Sequence, residues 1–215
     1  MQPVFHWKCQ VSLSSPEFVH LIETQASSQE VFKGNFLHAF VDHVTLPDGG
    51  QATREYVVHP GAVMVIPLLQ DAQGAWRVVL ERQFRYPIGL VMIEFPAGKL
   101  DAGESVAACA QRELLEETGY TANEWARAGL MHPVIAYSTE FIDVWFARGL
   151  TAGPQKLDSG EFLEVFTASP EELLQWCMEG KVTDAKTLAG ALWLQNTLNG
   201  NWNLPWQTVA SLAAC

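Results

Sequence analysis

The sequence is poor in cations. Lys and Arg number 13 against 24 Asp and Glu, a formal net charge of −11 over 215 residues. So acidic a chain repels polyphosphate backbones, which argues against nucleic acid as a general partner. An anionic substrate needs metal ions or a few placed arginines to overcome that field. Cysteine is scarce as well. Cys9, Cys109, Cys177 and Cys215 lie far apart, with no CxxC or Cys/His zinc spacing. That pattern argues against a disulfide scaffold, and reduced thiols in a cytoplasmic protein are expected. The opening stretch Met1–Trp7 lacks a basic region followed by a long apolar run, so no signal peptide is expected. Apolar runs such as Ile88–Ile93 fall far short of the ~18 residues of a membrane span, so no membrane partner is expected. Repeats and low-complexity tracts are absent.

What is present is apolar. Hydrophobic residues make up 48 %, with 8 Trp and 11 Phe, while charged residues are only 17 %. That is enough for a proper core and excludes a disordered chain. At roughly 100–200 residues per domain, one or two domains are expected.

Residues 1–29 carry little pattern beyond a short helix predicted over Phe18–Thr24. Val31–Val58 reads as strands, with a turn at Pro47-Asp-Gly-Gly50 and a second run at Arg54–Val58. His59-Pro-Gly61 is a breaker, which sets a boundary between residues 1–58 and 59–215. Ala62–Leu69 suits a strand buried on both faces, and Asp71–Gly74 turns it into Trp76–Phe84. Val91–Phe95 is a further strand. A helix begins near Ser105 and ends at Gly119, a good left-handed cap. More strands fit Ala128–Met131 and Phe141–Arg148. Ser169-Pro-Glu-Glu172 caps a helix that stops at Gly180. Thr183 is expected to cap another ending near Asn199, with Trp176 and Trp193 both in the core. The order of elements points to α+β or a mixed α/β sandwich.

The chemistry concentrates in residues 98–120. At ~100° per residue, Glu116 lies about 60° to one side of Glu113 and Glu117 about 40° to the other, so three carboxylates share one helix face. Like charges at i,i+3 and i,i+4 cost a few tenths of a kcal/mol per pair. A solvated acidic face gains nothing from that crowding, whereas a hard divalent cation bound by oxygens explains it. Arg112, four residues before Glu116, can pair with that acid. Gly98 and Gly103 leave room for backbone close to a ligand. Glu104 is expected to brace the loop at the helix start. Cys109 falls near the carboxylate face but reads as a packed small residue rather than a reactive thiol.

The stretch resembles the Nudix box at every defined position. Gly98 is followed after five residues by Glu104, then after seven by Arg112-Glu113, an apolar residue, Glu116-Glu117 and Gly119. Tyr120 stands at the final, usually aliphatic position. The resemblance implies hydrolysis of a nucleoside diphosphate linked to another moiety. It also implies an α/β fold, the mixed-sheet α/β/α Nudix sandwich, with an N-terminal antiparallel β region. Beyond the box, Glu94-Phe-Pro-Ala-Gly98, Arg54-Glu55, His59-Pro-Gly-Ala-Val63, Arg82-Gln-Phe-Arg85, Leu157-Asp-Ser-Gly-Glu161 and Asp184-Ala-Lys-Thr187 resemble the ADP-ribose/ADP-sugar pyrophosphatase branch. Pro133 stands close to a proline that several ADP-ribose-cleaving branches carry. Here its neighbours are His132 and Val134 rather than the frequent Ser and Gly.

The resemblance implies Mg²⁺ or Mn²⁺ held by Glu113, Glu117 and the Ala97 carbonyl, with Glu116 a further candidate. Glu161 matches a family metal-ligand position in a loop over Thr151–Glu161. Gly153, Pro154 and Gly160 are expected to let that loop move. The family's usual base falls on Ser159, which cannot do that work, so Asp158 and Glu161 are both candidates. Arg54, Glu55, Arg85 and Glu140 stand at substrate-contacting positions. Phe36 could stack on adenine, with an ordinary core aromatic on a strand as the competing reading. The N-terminal β region implies a homodimer that completes the partner's site. The expected substrate is ADP-ribose or an ADP-sugar, yielding AMP and ribose 5-phosphate. Another nucleoside diphosphate sugar, such as GDP-mannose, is the alternative. A catalytically silent ligand sensor is the alternative of a different class. The intact box and the lack of a basic helix-turn-helix segment speak against it.

Overall fold

The structure, a computed structural model, describes residues 16–212. The expectations placed on Met1–Trp7, Cys9 and Cys215 lie outside them. The chain divides into two units, Met1–Val58 with Ala136–Ser138, and His59–Ile135 with Thr139–Cys215.

In the first unit a 3-10 turn over Pro16–Leu21 precedes three strands, β1 (Thr24–Lys33), β2 (His38–Thr45) and β3 (Gln51–Val58). They form an antiparallel sheet in the order β1-β2-β3. The helix predicted to reach Thr24 ends at Leu21, and the first strand starts seven residues before Val31. Every residue of β1 is exposed, so no apolar alternation marks it as a strand. It is held instead by pairing with β2, from Thr24 opposite Thr45 to Lys33 opposite His38. The Asp48 carboxylate accepts the Gly50 N–H at 2.9 Å and closes the β2–β3 turn. Asp42 and Val44 are the buried residues of this unit among those described.

The second unit is built on β4 (Ala62–Gln70), β5 (Trp76–Arg85), β6 (Leu90–Glu94), β7 (Ala97–Lys99), α1 (Val106–Thr118), β8 (Tyr120–Met131), β9 (Ile142–Ala152) and β10 (Leu163–Ala168). Then follow α2 (Pro170–Met178), α3 (Ala185–Leu198), β11 (Gln207–Thr208) and α4 (Val209–Leu212). The mixed sheet runs β10-β5-β4-β9-β8-β11, with β6 on β5 and β7 on β4. β4 and β9 are parallel; the other pairs are antiparallel. β4 is buried on both faces. Val63 and Val65 pack with Leu114 of α1 and with Trp145. Met64 and Ile66 pack with Leu173 of α2 and Leu194 of α3. Helices therefore cover both sides of the sheet, and α1 is pinned over the centre of β4.

In the second unit β8, β10 and the last helix differ from the sequence expectation, and β9 runs on to Ala152, taking in the start of the loop expected from Thr151. β8 begins at Tyr120 rather than Ala128, because the polar start Thr121–Glu124 gains strand structure from its pairing with β9. β10, unmarked in the sequence, is a partly exposed strand held along β5. The last helix is capped by Asp184, not Thr183: its carboxylate accepts the Thr187 N–H at 3.0 Å. Trp176 and Trp193 are partly buried against the core rather than inside it. Among the described residues no helix is long and apolar enough to cross a membrane.

Candidate active site

α1 is placed by its two ends. The Ser105 hydroxyl accepts the Ala108 N–H, and Gly119 (φ 74°) closes the C-terminus with its N–H on the Leu115 carbonyl. The inward face of α1 buries Cys109, Ala110 and Leu114, and with them two acids, Glu113 and Glu117. Glu117 Oε2 accepts the Ala97 N–H at 2.9 Å. Glu113 lies over Gly98, where any Cβ would fall on its carboxylate. Gly98 therefore admits a carboxylate. Gly103 instead sits at φ 82° with open space around it, so it serves the turn and not a close approach.

Arg112 ties these acids together. It donates to Glu104 (2.8 Å through both Nε and Nη2), to Glu113 (2.8 Å), to Glu116 (3.0 Å) and to the Lys99 carbonyl (3.0 Å). Glu104 also accepts the Asp101 N–H at 3.1 Å, bracing the loop before the helix. The Arg112 hydrogen bond holds the Glu104 carboxyl down at about 2. Cys109 is fully buried beneath the Lys99 carbonyl, and burial pushes its thiol far above the ordinary value. It is inert packing.

Behind the box lies the β5–β6 hairpin. Burial, then the charges of Glu81 and Glu113, raise the Glu117 carboxyl well above its ordinary value. Burial also raises Glu113 against the pull of Arg112. Glu81 is fully buried, and burial followed by the Glu94 charge pushes it up to about 8. A site that disfavours its own negative charges so strongly suits a cation.

Residues 58–189 match the NUDIX domain, and residues 23–57 match the nucleoside diphosphate sugar hydrolase N-terminal domain. The chain belongs to the Nudix family. An ADP-ribose pyrophosphatase of Bacillus subtilis is 34 % identical over 81 % of this chain and 94 % of its own length. A methanol dehydrogenase activator of Bacillus methanolicus is 34 % identical over 80 % and 92 % respectively. The crystal structure of an ADP compounds hydrolase superposes with a TM-score of 0.74 at 20 % identity, covering 84 % of this chain and 97 % of that one, and so shares the fold.

Nudix hydrolases use divalent metal ions. Among the described residues no three acidic, His or Cys side chains stand ready as a closed ligand group. Arg112 draws Glu113 and Glu116 to itself, which accounts for this. The donor chemistry nonetheless fits a hard cation: clustered oxygens, buried, with more negative charge than their neighbours neutralise.

The Nudix loop after β9 is less free than Gly153 and Pro154 imply. The Gly153 N–H donates to the Gly119 carbonyl at 2.8 Å, and the Lys156 N–H to the Glu116 carbonyl at 2.9 Å. Gln155 donates to the Glu117 carbonyl at 2.6 Å. The loop thus caps the end of α1, an anchorage that only the folded chain reveals. Further on, the Glu161 carboxylate accepts from Gln83 and from the Asp158 N–H, each at 3.3 Å. Asp158 itself is exposed.

The candidate clamp residues are placed as follows. Arg85 donates to Glu94 twice, at 2.7 and 2.8 Å. Glu140 is partly buried, 4.0 Å from the His59 ring, and Pro133 is partly buried after β8. In the N-terminal unit Arg54 pairs with Glu23, and exposed Glu55 points to the opposite face of β3. Phe36 sits in the β1–β2 turn at 50 % exposure, so it is neither on a strand nor in a core. Sequence reasoning missed Glu81, Gln83 and Lys186. Glu81 and Gln83 share one face of β5, while Lys186 reaches Glu94 from the first turn of α3. The Asp184-Ala-Lys-Thr187 resemblance was the one signal that pointed to Lys186.

Proposed function

We propose that this chain hydrolyses the diphosphate of ADP-ribose or an ADP-sugar to AMP and ribose 5-phosphate, using Mg²⁺ or Mn²⁺. The observation that carries the reading is the pair Glu113 and Glu117, two carboxylates buried together over the Ala97–Gly98 backbone, with Arg112 on Glu113 and a backbone N–H on Glu117. The relatives' activity and the matched N-terminal domain support the substrate class. Glu113, Glu117 and the Ala97 carbonyl would hold the cation, with Glu116 and Glu161 as further ligands. When bound, the cation neutralises the diphosphate and polarises the attacked phosphoryl group.

The chain's own residues do the rest. The Ala97 N–H orients Glu117, and Arg112 sets the spacing of Glu104, Glu113 and Glu116. A water oxygen bonds to one phosphorus, the bridging P–O bond breaks, and the water proton passes to a carboxylate. Asp158 and Glu161 are the candidates for that acceptor. Arg54, Glu55, Arg85, Glu140, Pro133 and Phe36 are proposed to contact substrate. Dimerisation through the N-terminal unit and a cytoplasmic location belong to the same proposal. The free thiols of Cys109 and Cys177 are consistent with that location.

The test is a panel of nucleotide sugars incubated with Mg²⁺, products separated by chromatography. ADP-ribose should yield AMP and ribose 5-phosphate. Turnover of none of the panel, or a preference of about tenfold or more for GDP-mannose, would overturn the reading.

A further inference from the structure

Among the described residues, three carboxylates on the strands of the second unit are exposed by 2 % or less, and two of them are conventionally satisfied. Asp143 is held by Arg127 through bonds of 2.8, 3.0 and 2.6 Å. Glu94 is held by Arg85 and Lys186. Those partners outweigh the burial of Glu94 and keep its carboxyl below the ordinary value. Glu81 is the exception. It is 0 % exposed, and neither oxygen has a hydrogen-bond partner in the protein.

Its setting makes this costly. Glu81 stands directly opposite Glu94 in the β5–β6 register, and like charges in that position repel. Glu117 lies close enough to feel its charge, as does Glu161. The nearby cations, Arg85 and Lys186, both spend their hydrogen bonds on Glu94, and Lys186 also binds Asp184. Nothing in packing requires an acid there. Val79, two residues earlier on the same face of β5, is buried and apolar. A buried acid without a protein hydrogen-bond partner, opposite Glu94 and on the same face of β5 as Gln83, which donates to Glu161, calls for a ligand that gives it one.

We propose that Glu81 is a further acidic residue of the divalent-cation site, a positioning residue that accepts hydrogen bonds from the cation's hydration water. This rests on the metal-dependent reading above. Hard cations such as Mg²⁺ keep several waters, and an acceptor behind those waters orients them and raises affinity. Gln83, on the same face of β5, donates to Glu161 while its own Oε1 is buried without a partner. The polar row on β5 therefore continues from Glu81 toward the loop that carries the late acids.

The experiment is Mn²⁺ titration of the metal-free full chain by calorimetry and by electron paramagnetic resonance, with melting curves taken with and without Mn²⁺. Wild type, Glu81→Gln, Glu81→Met and Glu117→Gln are compared. Glu81→Gln and Glu81→Met should bind Mn²⁺ about 10- to 100-fold more weakly than wild type. Their metal-free melting temperatures should equal or exceed wild type, because a buried carboxyl without a protein hydrogen-bond partner has been removed. A folded Glu81 variant binding Mn²⁺ within about twofold of wild type would overturn the proposal. So would a metal-free melting temperature lowered in both variants with unchanged affinity, the signature of a purely structural acid. If wild type hydrolyses nucleotide sugars and Glu117→Gln loses Mn²⁺ while the Glu81 variants keep it, this inference alone fails. If wild type binds no Mn²⁺, the functional reading falls with it.

Discussion

Ala97 and Glu117 lie twenty residues apart, yet the Ala97 backbone N–H donates to the Glu117 carboxylate at 2.9 Å. That bond ties the box helix to the short strand β7. It sets the carboxylate beside the same backbone whose carbonyl is a candidate ligand. An acid oriented by a backbone donor needs no rearrangement when charge arrives.

Glu117→Gln should abolish turnover while leaving the fold intact. Losing one ligand removes charge stabilisation worth several kcal/mol, so a rate drop of about 10³ or more is expected. Chelating the metal from wild type should do the same, reversibly. Circular dichroism checks the fold. A variant retaining more than about a tenth of wild-type turnover at saturating Mg²⁺ would refute the ligand assignment.

Gly98→Ala should displace the Glu113 carboxylate, because the new Cβ falls on it. Turnover should drop about 100-fold from misplacement alone. Gly103→Ala is the control: its Cβ meets open space but its positive φ is strained, so it should cost stability with little loss of metal affinity. Metal titration of both variants separates the two effects.

Glu104→Gln should destabilise the protein in a pH-dependent way. The folded Glu104 carboxyl sits at about 2, below its ordinary value of 4.5, chiefly through the Arg112 hydrogen bond. A depressed folded pKa stabilises fully above 4.5, and the gain is lost as pH falls toward 2. The variant should therefore lose roughly 1–2 kcal/mol at pH 7, with a visibly narrower gap at pH 3.5. Urea unfolding at the two pH values checks this. An equal gap at both would argue against the pair.

Glu161→Gln should lower kcat strongly with little change in KM, since the interaction belongs to the transition state. Asp158→Asn should do so only if Asp158 takes the water proton. Near-wild-type kcat in both would leave water activation to the metal and the box glutamates.

The chain should be a homodimer. β1 is exposed along its whole length and, among the described residues, pairs on one side only, an edge that small sheets usually cover. Light scattering at micromolar concentration should give twice the chain mass. A fully active monomer would count against it.

The box was legible because its information is local. Glu113, Glu116 and Glu117 share a helix face through i,i+3 and i,i+4 spacing, and Ser105 and Gly119 mark the ends by their own conformational preferences. The doubly buried strand β4 announced itself by composition, since seven successive buried residues leave no polar alternation to read. Long-range pairing decided the rest. β1 and β10 carry too little apolar alternation to declare themselves and become strands only against β2 and β5. Arg85 read as a free clamp until β6 placed Glu94 within reach of its guanidinium. Glu81 carried no signal of its own within the strand Trp76–Phe84. Only the β5–β6 register puts it opposite Glu94, and only the burial of that face removes its water. Spacing along a helix determines which side chains share a face. Which strand passes behind that face, and which charges it brings, is a property of the folded sheet.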